Sequence, residues 1–206
     1  MIAIIDYDAG NIKSVEKAVM KLGGSPVLTR DPHVLEEADR VILPGVGAFG
    51  DAVEKLHHFG LFSVIKQIAD SGKPLLGICL GEQLLFESSE ESPGTEGLAI
   101  LKGDVRRIHS EDGDDKSLKI PNIGWNSLDF PRPGRLFEGI EEGAFVYFVH
   151  SYYVHAFDRS VVRAVIRYGT EIDASVESGN IFACQFHPEK SSDVGLKILN
   201  NFLSIA

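Results

Sequence analysis

The sequence predicts an α/β protein with a central, mostly parallel sheet and an added antiparallel strand region in its C-terminal half. Up to about residue 92, short apolar runs alternate with segments of helical periodicity, the grammar of βαβ units. The early runs are almost continuously apolar, as strands covered on both faces require. Beyond that point strand-like runs crowd together with short links, which suits antiparallel pairing.

Met1–Tyr7 is the first buried strand, and Asp8-Ala-Gly-Asn11 turns the chain. Ile12, Val15, Val19 and Leu22 recur at helical spacing until Gly23-Gly24 stops the helix. Ser25–Thr29 reads as a second strand, and Asp31-Pro32 as the cap and first turn of a short helix. Arg40–Pro44 is a third strand, running into the glycine-rich Gly45–Gly50. Helices over Asp51–His58 and Leu61–Ser71 precede a fourth strand, Lys73–Ile78, which leads straight to Cys79. Strand-like runs follow at Ala99–Ile108, Trp125–Phe130, Ala144–His155, Val161–Tyr168 and Ile172–Phe186, the last interrupted by a Ser178-Gly179-Asn180 hairpin turn. Val194, Ile198, Leu199, Phe202 and Leu203 mark one face of a closing helix. His109–Lys116 is the most polar stretch; without calcium-loop spacing, it reads as a solvated loop.

No linker or repeat divides the 206 residues, so a single domain over residues 1–206 is expected. A net charge of −10 argues against a phosphate-backbone binder, because no basic footprint is present. No apolar run reaches the roughly 18 residues of a membrane span, and the N-terminus lacks the pattern of a secretory leader. Two cysteines do not make a disulfide framework. The expectation is a cytoplasmic protein that binds neither nucleic acid nor membrane.

Gly77-Ile-Cys79-Leu-Gly81 falls at a strand-to-helix junction. Glycines on both sides allow the sharp turn that lifts a nucleophile out of a sheet. A helix from Leu80 to about Phe86 aims its first N–H groups and positive end at Cys79, favouring the reactive thiolate. The elbow alone leaves two readings, a nucleophile and a buried structural thiol. Cys184, deep in a strand without such a turn, reads as structural. A cysteine nucleophile needs a base and a group that orients it. Phe186-His187-Pro188-Glu189 offers both, the proline holding an extended backbone so that His187 and Glu189 project to the same side. An oxyanion requires donors: the N–H of Val46, in the glycine-rich turn, and the N–H of Leu80. His33, His57, His58, His109 and His155 read as helix-face or loop residues.

Gly77–Gly81 with Gln83, together with Phe186-His-Pro-Glu-Lys-Ser191, resembles the class I glutamine amidotransferases. Asp6–Asn11, Pro44–Phe49, Gly124-Trp-Asn126 and Tyr147–Tyr152 narrow the resemblance to the glutaminase-subunit family of imidazole glycerol phosphate synthase. The resemblance implies a flavodoxin-like three-layer sandwich and a Cys79–His187–Glu189 triad that hydrolyses L-glutamine through a thioester. Glutamine would be held near Gly47 and Gln83 and by backbone groups around Ser151 and Tyr152. No cofactor or metal is implied. Ammonia would pass to a (β/α)8-barrel cyclase subunit, on which the glutaminase depends for activation. Asn11, Asn122, Trp125 and Lys190 are candidates for the docking face, and the acidic charge suggests a more basic face on the partner.

The chain departs from this family's pattern twice. Glu82 stands directly after the second elbow glycine, where methionine is usual. A carboxylate facing the pocket would oppose thiolate formation, so a cost in rate is expected. Asn122 stands where histidine is common. The competing readings are a paralogous subunit serving another acceptor such as a nucleotide-linked sugar, a non-catalytic scaffold of the same fold, and a free-standing Cys hydrolase.

Overall fold

The computed structural model describes residues 1–109 and 118–205. The polar loop read from the sequence lies almost wholly outside the described residues.

The N-terminal half follows the predicted alternation. Strand β1 is Ile2–Ile5, α1 Ile12–Lys21, β2 Pro26–Thr29, α2 Pro32–Glu37 and β3 Arg40–Gly45. Helices α3 (Phe49–His58) and α4 (Leu61–Asp70) lead to β4 (Leu75–Cys79) and the short α5 (Leu80–Leu84). Asp31 caps α2 through the His33 N–H at 2.9 Å, with Pro32 in the first turn.

The C-terminal half supplies β5 (Ser88–Ser89), β6 (Gly103–Arg107), β7 (Asn122–Ser127), β8 (Phe145–His150) and β9 (Tyr152–Ala156). It continues with β10 (Val162–Tyr168), β11 (Thr170–Ser178), β12 (Ile181–Cys184) and α6 (Ser192–Ser204). The run expected as one strand over Ala144–His155 is two. Residues before Ser151 pair with β7 in a separate ribbon, and those after it join the main sheet beside β6.

The main sheet runs β2-β1-β3-β4-β12-β11-β9-β6-β5, with β10 on β11. Strands from β2 through β12 are parallel, while β12–β11, β11–β9 and β9–β6 are antiparallel. This is the α/β class the sequence predicts. One apolar core holds Leu35, Phe49, Leu56, Ile65, Leu84 and Phe86 against one face of the sheet. The other holds Val15, Val19, Ile198, Leu199 and Phe202, with Val146 and Phe148 of the ribbon. Burying such apolar side chains contributes about 1.5–3 kcal/mol each before the entropy of ordering is counted. Among the described residues no helix is long and apolar enough to cross a membrane. Strands β3, β4 and β12, neighbours in the sheet, all end at the same edge, which is where an open parallel sheet gathers function.

Candidate active site

Cys79 ends β4 with φ 56° and ψ −111°, a left-handed conformation for a residue with a side chain. Such strain costs about 1–3 kcal/mol and persists only where the surroundings impose it. The surroundings here are two close backbone approaches. A Cβ on Gly77 would lie 2.7 Å from the Gly81 carbonyl oxygen, and one on Gly81 would run into the Leu43 carbonyl. Glycine at both positions lets α5 fold back tightly over β3 and β4, with Cys79 at the bend. Helix α5 is shorter than expected, and Cys79 stands at its N-terminal end.

Register places Gly45 of β3 beside Cys79. Val46 and Gly47 therefore lie next to Leu80, and these three residues and Cys79 line one cavity of about 430 Å³. Gly47 has φ 108°, a value that suits glycine. The turn is braced from behind, because the buried Tyr7 hydroxyl donates to the Pro44 carbonyl at 2.9 Å. Gln83, Ser151, Tyr152 and Lys190 also line the cavity, along with Glu91, Pro121, Val149 and His150.

Beyond β12 the chain reaches His187, whose N–H donates to the Tyr147 carbonyl at 2.9 Å. The Ser191 hydroxyl donates to the His187 carbonyl at 2.7 Å and accepts from the Tyr147 N–H at 2.9 Å. His187 is thus pinned to β8. Pro188–Lys190 is a tight 3₁₀ turn, not the extended segment expected, since proline fits the first turn of a helix as readily. The turn still brings His187 Nδ1 to 2.8 Å from Glu189 Oε1. Both side chains are essentially buried. Burial disfavours the imidazolium, but bonding and charge from Cys79 and Glu189 outweigh it, raising His187 to about 9. His187 Nε2 has no hydrogen bond of ordinary geometry among the described residues. Without substrate, a catalytic hydrogen bond of this kind is often loose.

This geometry can do acyl transfer: a strained thiol, an imidazole held by a carboxylate, and two glycine-rich backbones around a small cavity. A sequence profile of the glutamine amidotransferase class-I family matches residues 3–206. The chain belongs to that family.

Among its relatives, an imidazole glycerol phosphate synthase subunit HisH from Moorella thermoacetica is 50% identical over 98% of this chain and 93% of its own. The HisH subunit of Geobacillus kaustophilus is also 50% identical, over 100% of this chain and 97% of its own. Solved structures share the fold. A glutamine amidotransferase superposes with TM-score 0.74 at 20% identity, covering 98% of this chain and 99% of that one. PurLQS from Thermotoga maritima gives 0.73 at 22%, covering 98% and 96%.

Within this amidotransferase fold, the structure defines the surroundings of Glu82, Asn122 and Asn11. Glu82 faces neither solvent nor the cavity; it is fully buried, and among the described residues both carboxylate oxygens lack a hydrogen-bond partner. Burial, then the charges of Asp173 and Cys79, push its carboxyl well above the usual range. Asn122, expected on a docking face, is buried on the inner side of the β7–β8 ribbon opposite His150. Strand alternation puts it on the face opposite Ile123 and Trp125. Asn11 is half-buried, and its amide donates to Glu189 Oε1 at 2.5 Å. Trp125 stays half exposed, edge-on to Tyr147, and the Lys190 ammonium lies 6.0 Å from the Tyr147 ring centroid.

Sequence reasoning missed Gln185 and His150. Each carries a signal. Gln185 is a polar residue inside an apolar strand run, and His150 falls in phase with the buried Val146 and Phe148.

Proposed function

We propose that this chain is the glutaminase subunit of an imidazole glycerol phosphate synthase. It hydrolyses L-glutamine to L-glutamate and passes ammonia to a cyclase subunit that makes imidazole glycerol phosphate and aminoimidazole carboxamide ribotide in histidine biosynthesis. The observation that carries this reading is the identity near 50%, over essentially the whole chain, to proteins named as that synthase's HisH subunit.

In this reading the Cys79 thiolate attacks the carboxamide carbon of glutamine. The resulting oxyanion is met by the N–H groups of Val46 and Leu80, a contribution of about 3–4 kcal/mol per donor in comparable sites. His187, as imidazolium, gives its proton to the departing nitrogen, and the C–N bond breaks to leave a Cys79 thioester and ammonia. His187, now neutral, takes a proton from water as that water attacks the thioester. Glutamate leaves and the thiolate returns. Glu189 holds the imidazole by Nδ1 and stabilises its charge. Gly47, Gln83 and the backbone of Ser151 and Tyr152 position the substrate. The Gln83 amide nitrogen is already engaged by Tyr152 and Gln185, which leaves its carbonyl oxygen for the ligand.

The partner is proposed to be a (β/α)8 barrel that docks as a heterodimer on the outer face of the β7–β8 ribbon. Ile123, Trp125 and Phe145 expose apolar surface there, and Lys190 lies at its edge beside the Tyr147 ring. Two free thiols suit a reducing compartment, and the cytoplasm is the proposed site. The test is glutamate release by the chain alone, with a cyclase subunit, and with that subunit saturated by its nucleotide substrate. Stimulation by partner and nucleotide supports the assignment. Full activity from the chain alone contradicts it.

A further inference from the structure

A chain of polar contacts runs from the back of the ribbon to the reacting sulfur. Asn126 Nδ2 donates to Asn122 Oδ1 at 3.2 Å, and Asn122 Nδ2 meets His150 Nε2 at 3.1 Å. His150 Nδ1 meets the Tyr152 carbonyl at 2.9 Å. Gln83 Nε2 donates to that same carbonyl at 3.0 Å and to Gln185 Oε1 at 2.8 Å. Gln185 Nε2 ends the chain 3.6 Å from Cys79 Sγ. The four interior links are all buried: Asn122 at 2%, His150 at 6%, Gln83 at 5% and Gln185 at 0% exposure.

One atom sets the direction of every link. The Tyr152 carbonyl can only accept. Gln83 must therefore turn its NH₂ toward Tyr152, and the second hydrogen of that group goes to Gln185 Oε1. Gln185, anchored through its oxygen, is left with its NH₂ toward the sulfur. In the other direction, His150 must carry its proton on Nδ1. Its bare Nε2 then accepts from Asn122, whose Oδ1 accepts from Asn126. Burial drives His150 down to about 4, so the ring stays neutral and keeps one tautomer across ordinary pH.

We infer that Gln185 is a hydrogen-bond donor to the Cys79 thiolate, that Gln83 fixes which end of its amide faces the sulfur, and that Asn122 and His150 are positioning residues that hold the Tyr152 carbonyl on which Gln83 is anchored. The inference rests on Cys79 being the nucleophile of the proposed reaction. A donor aimed at the thiolate favours the charged, reactive form over the thiol. It also gives Asn122 a role at this position: its amide donates to the bare His150 nitrogen, as this arrangement requires.

Two measurements on the intact chain decide the matter, and neither uses glutamine or a partner. The first is alkylation of Cys79 by iodoacetamide, followed by peptide mass spectrometry that separates Cys79 from Cys184. Gln185→Met keeps most of the volume and removes the donor. It is expected to slow Cys79 alkylation at pH 7 about tenfold, the scale of a hydrogen bond to a charged group, and to leave the rate at strongly alkaline pH unchanged. An unchanged rate at pH 7 overturns the inference. The second is ¹⁵N NMR of His150 in the unsubstituted chain, which remains decisive if the variant fails to fold. A proton on Nδ1 with a bare Nε2 is expected, and a proton on Nε2 overturns the inference. If both results are as expected and the assembled enzyme is inert toward glutamine, the glutaminase reading fails and this one stands. The reverse outcome separates them equally well.

Discussion

Asn11 Nδ2 lies 2.5 Å from Glu189 Oε1, and the same oxygen is 2.8 Å from His187 Nδ1. One carboxylate oxygen therefore receives two donors from opposite ends of the chain. Asn11 itself sits at φ 70° before α1 and makes no capping bond there, so its amide is free for the triad. Among the described residues, removing that donor leaves the Glu189 carboxylate bonded to the histidine it is meant to orient and to no other side chain. Asn11→Ala is expected to lower kcat between about tenfold and a hundredfold, the scale of small misplacements in a catalytic constellation, with a smaller effect on KM. Steady-state glutaminase kinetics in the assembled enzyme check this. An unchanged kcat would limit Asn11 to a docking role.

Among the described residues, the buried Glu82 carboxyl has no hydrogen-bond partner. Burying an unpaired polar group costs about 1–3 kcal/mol, so Glu82→Met is expected to raise the melting temperature by roughly 2–10 °C for a chain of this size. The sign of the pH dependence follows from linkage. The folded state keeps the proton above the ordinary value of 4.5, whereas the unfolded chain releases it, so wild-type stability falls as pH rises. The gain from Glu82→Met should therefore be larger at pH 8 than at pH 5, as calorimetry at both values tests. Because Glu82 lies outside the cavity, the loss of rate expected from a pocket-facing carboxylate is not expected from this position.

His187 is raised to about 9 from an ordinary 6.5. Its proton contributes stability that is fully present below 6.5 and is lost as pH rises through about 9. The same proton is the one proposed to leave with ammonia. Partner-stimulated kcat/KM should accordingly decline above about pH 9. A decline already complete by pH 7 contradicts the role of His187 as the proton donor.

Trp125 presents half its surface to solvent, edge-on to Tyr147, on the outer face of the ribbon. Aromatic anchors of this kind carry about 2 kcal/mol or more in interfaces. Trp125→Ala is expected to weaken cyclase binding at least about thirtyfold, read by titration calorimetry, with little change in melting temperature. Unaltered affinity moves the docking face elsewhere.

Much of this architecture is legible in the sequence because it is local. The elbow is written in Gly77, Cys79 and Gly81, whose spacing is dictated by backbone approaches within a few residues and to the adjoining strand. The parallel half follows from apolar runs that must be covered on both faces. What the sequence hides is assembled across long separations. Asn11 and Glu189 stand 178 positions apart, and only the fold brings them together. Asn122 and Trp125 are three residues apart on one strand and so face opposite ways, which a motif treated as a unit obscures. The break at Ser151 is unmarked because no glycine or proline interrupts the run there, although the two flanking strands belong to different sheets. Glu82 illustrates the opposite limit: its position beside the nucleophile is evident, but its direction depends on how α5 packs over β3 and β4.

The most direct measurement is acid-quenched mass spectrometry of the assembled synthase during turnover of isotope-labelled glutamine. A glutamyl adduct on the peptide bearing Cys79, absent from the peptide bearing Cys184 and from a Cys79→Ser variant, is the predicted result. Turnover with the label on Cys184, or undiminished glutamate release by the Cys79→Ser variant, would contradict the account.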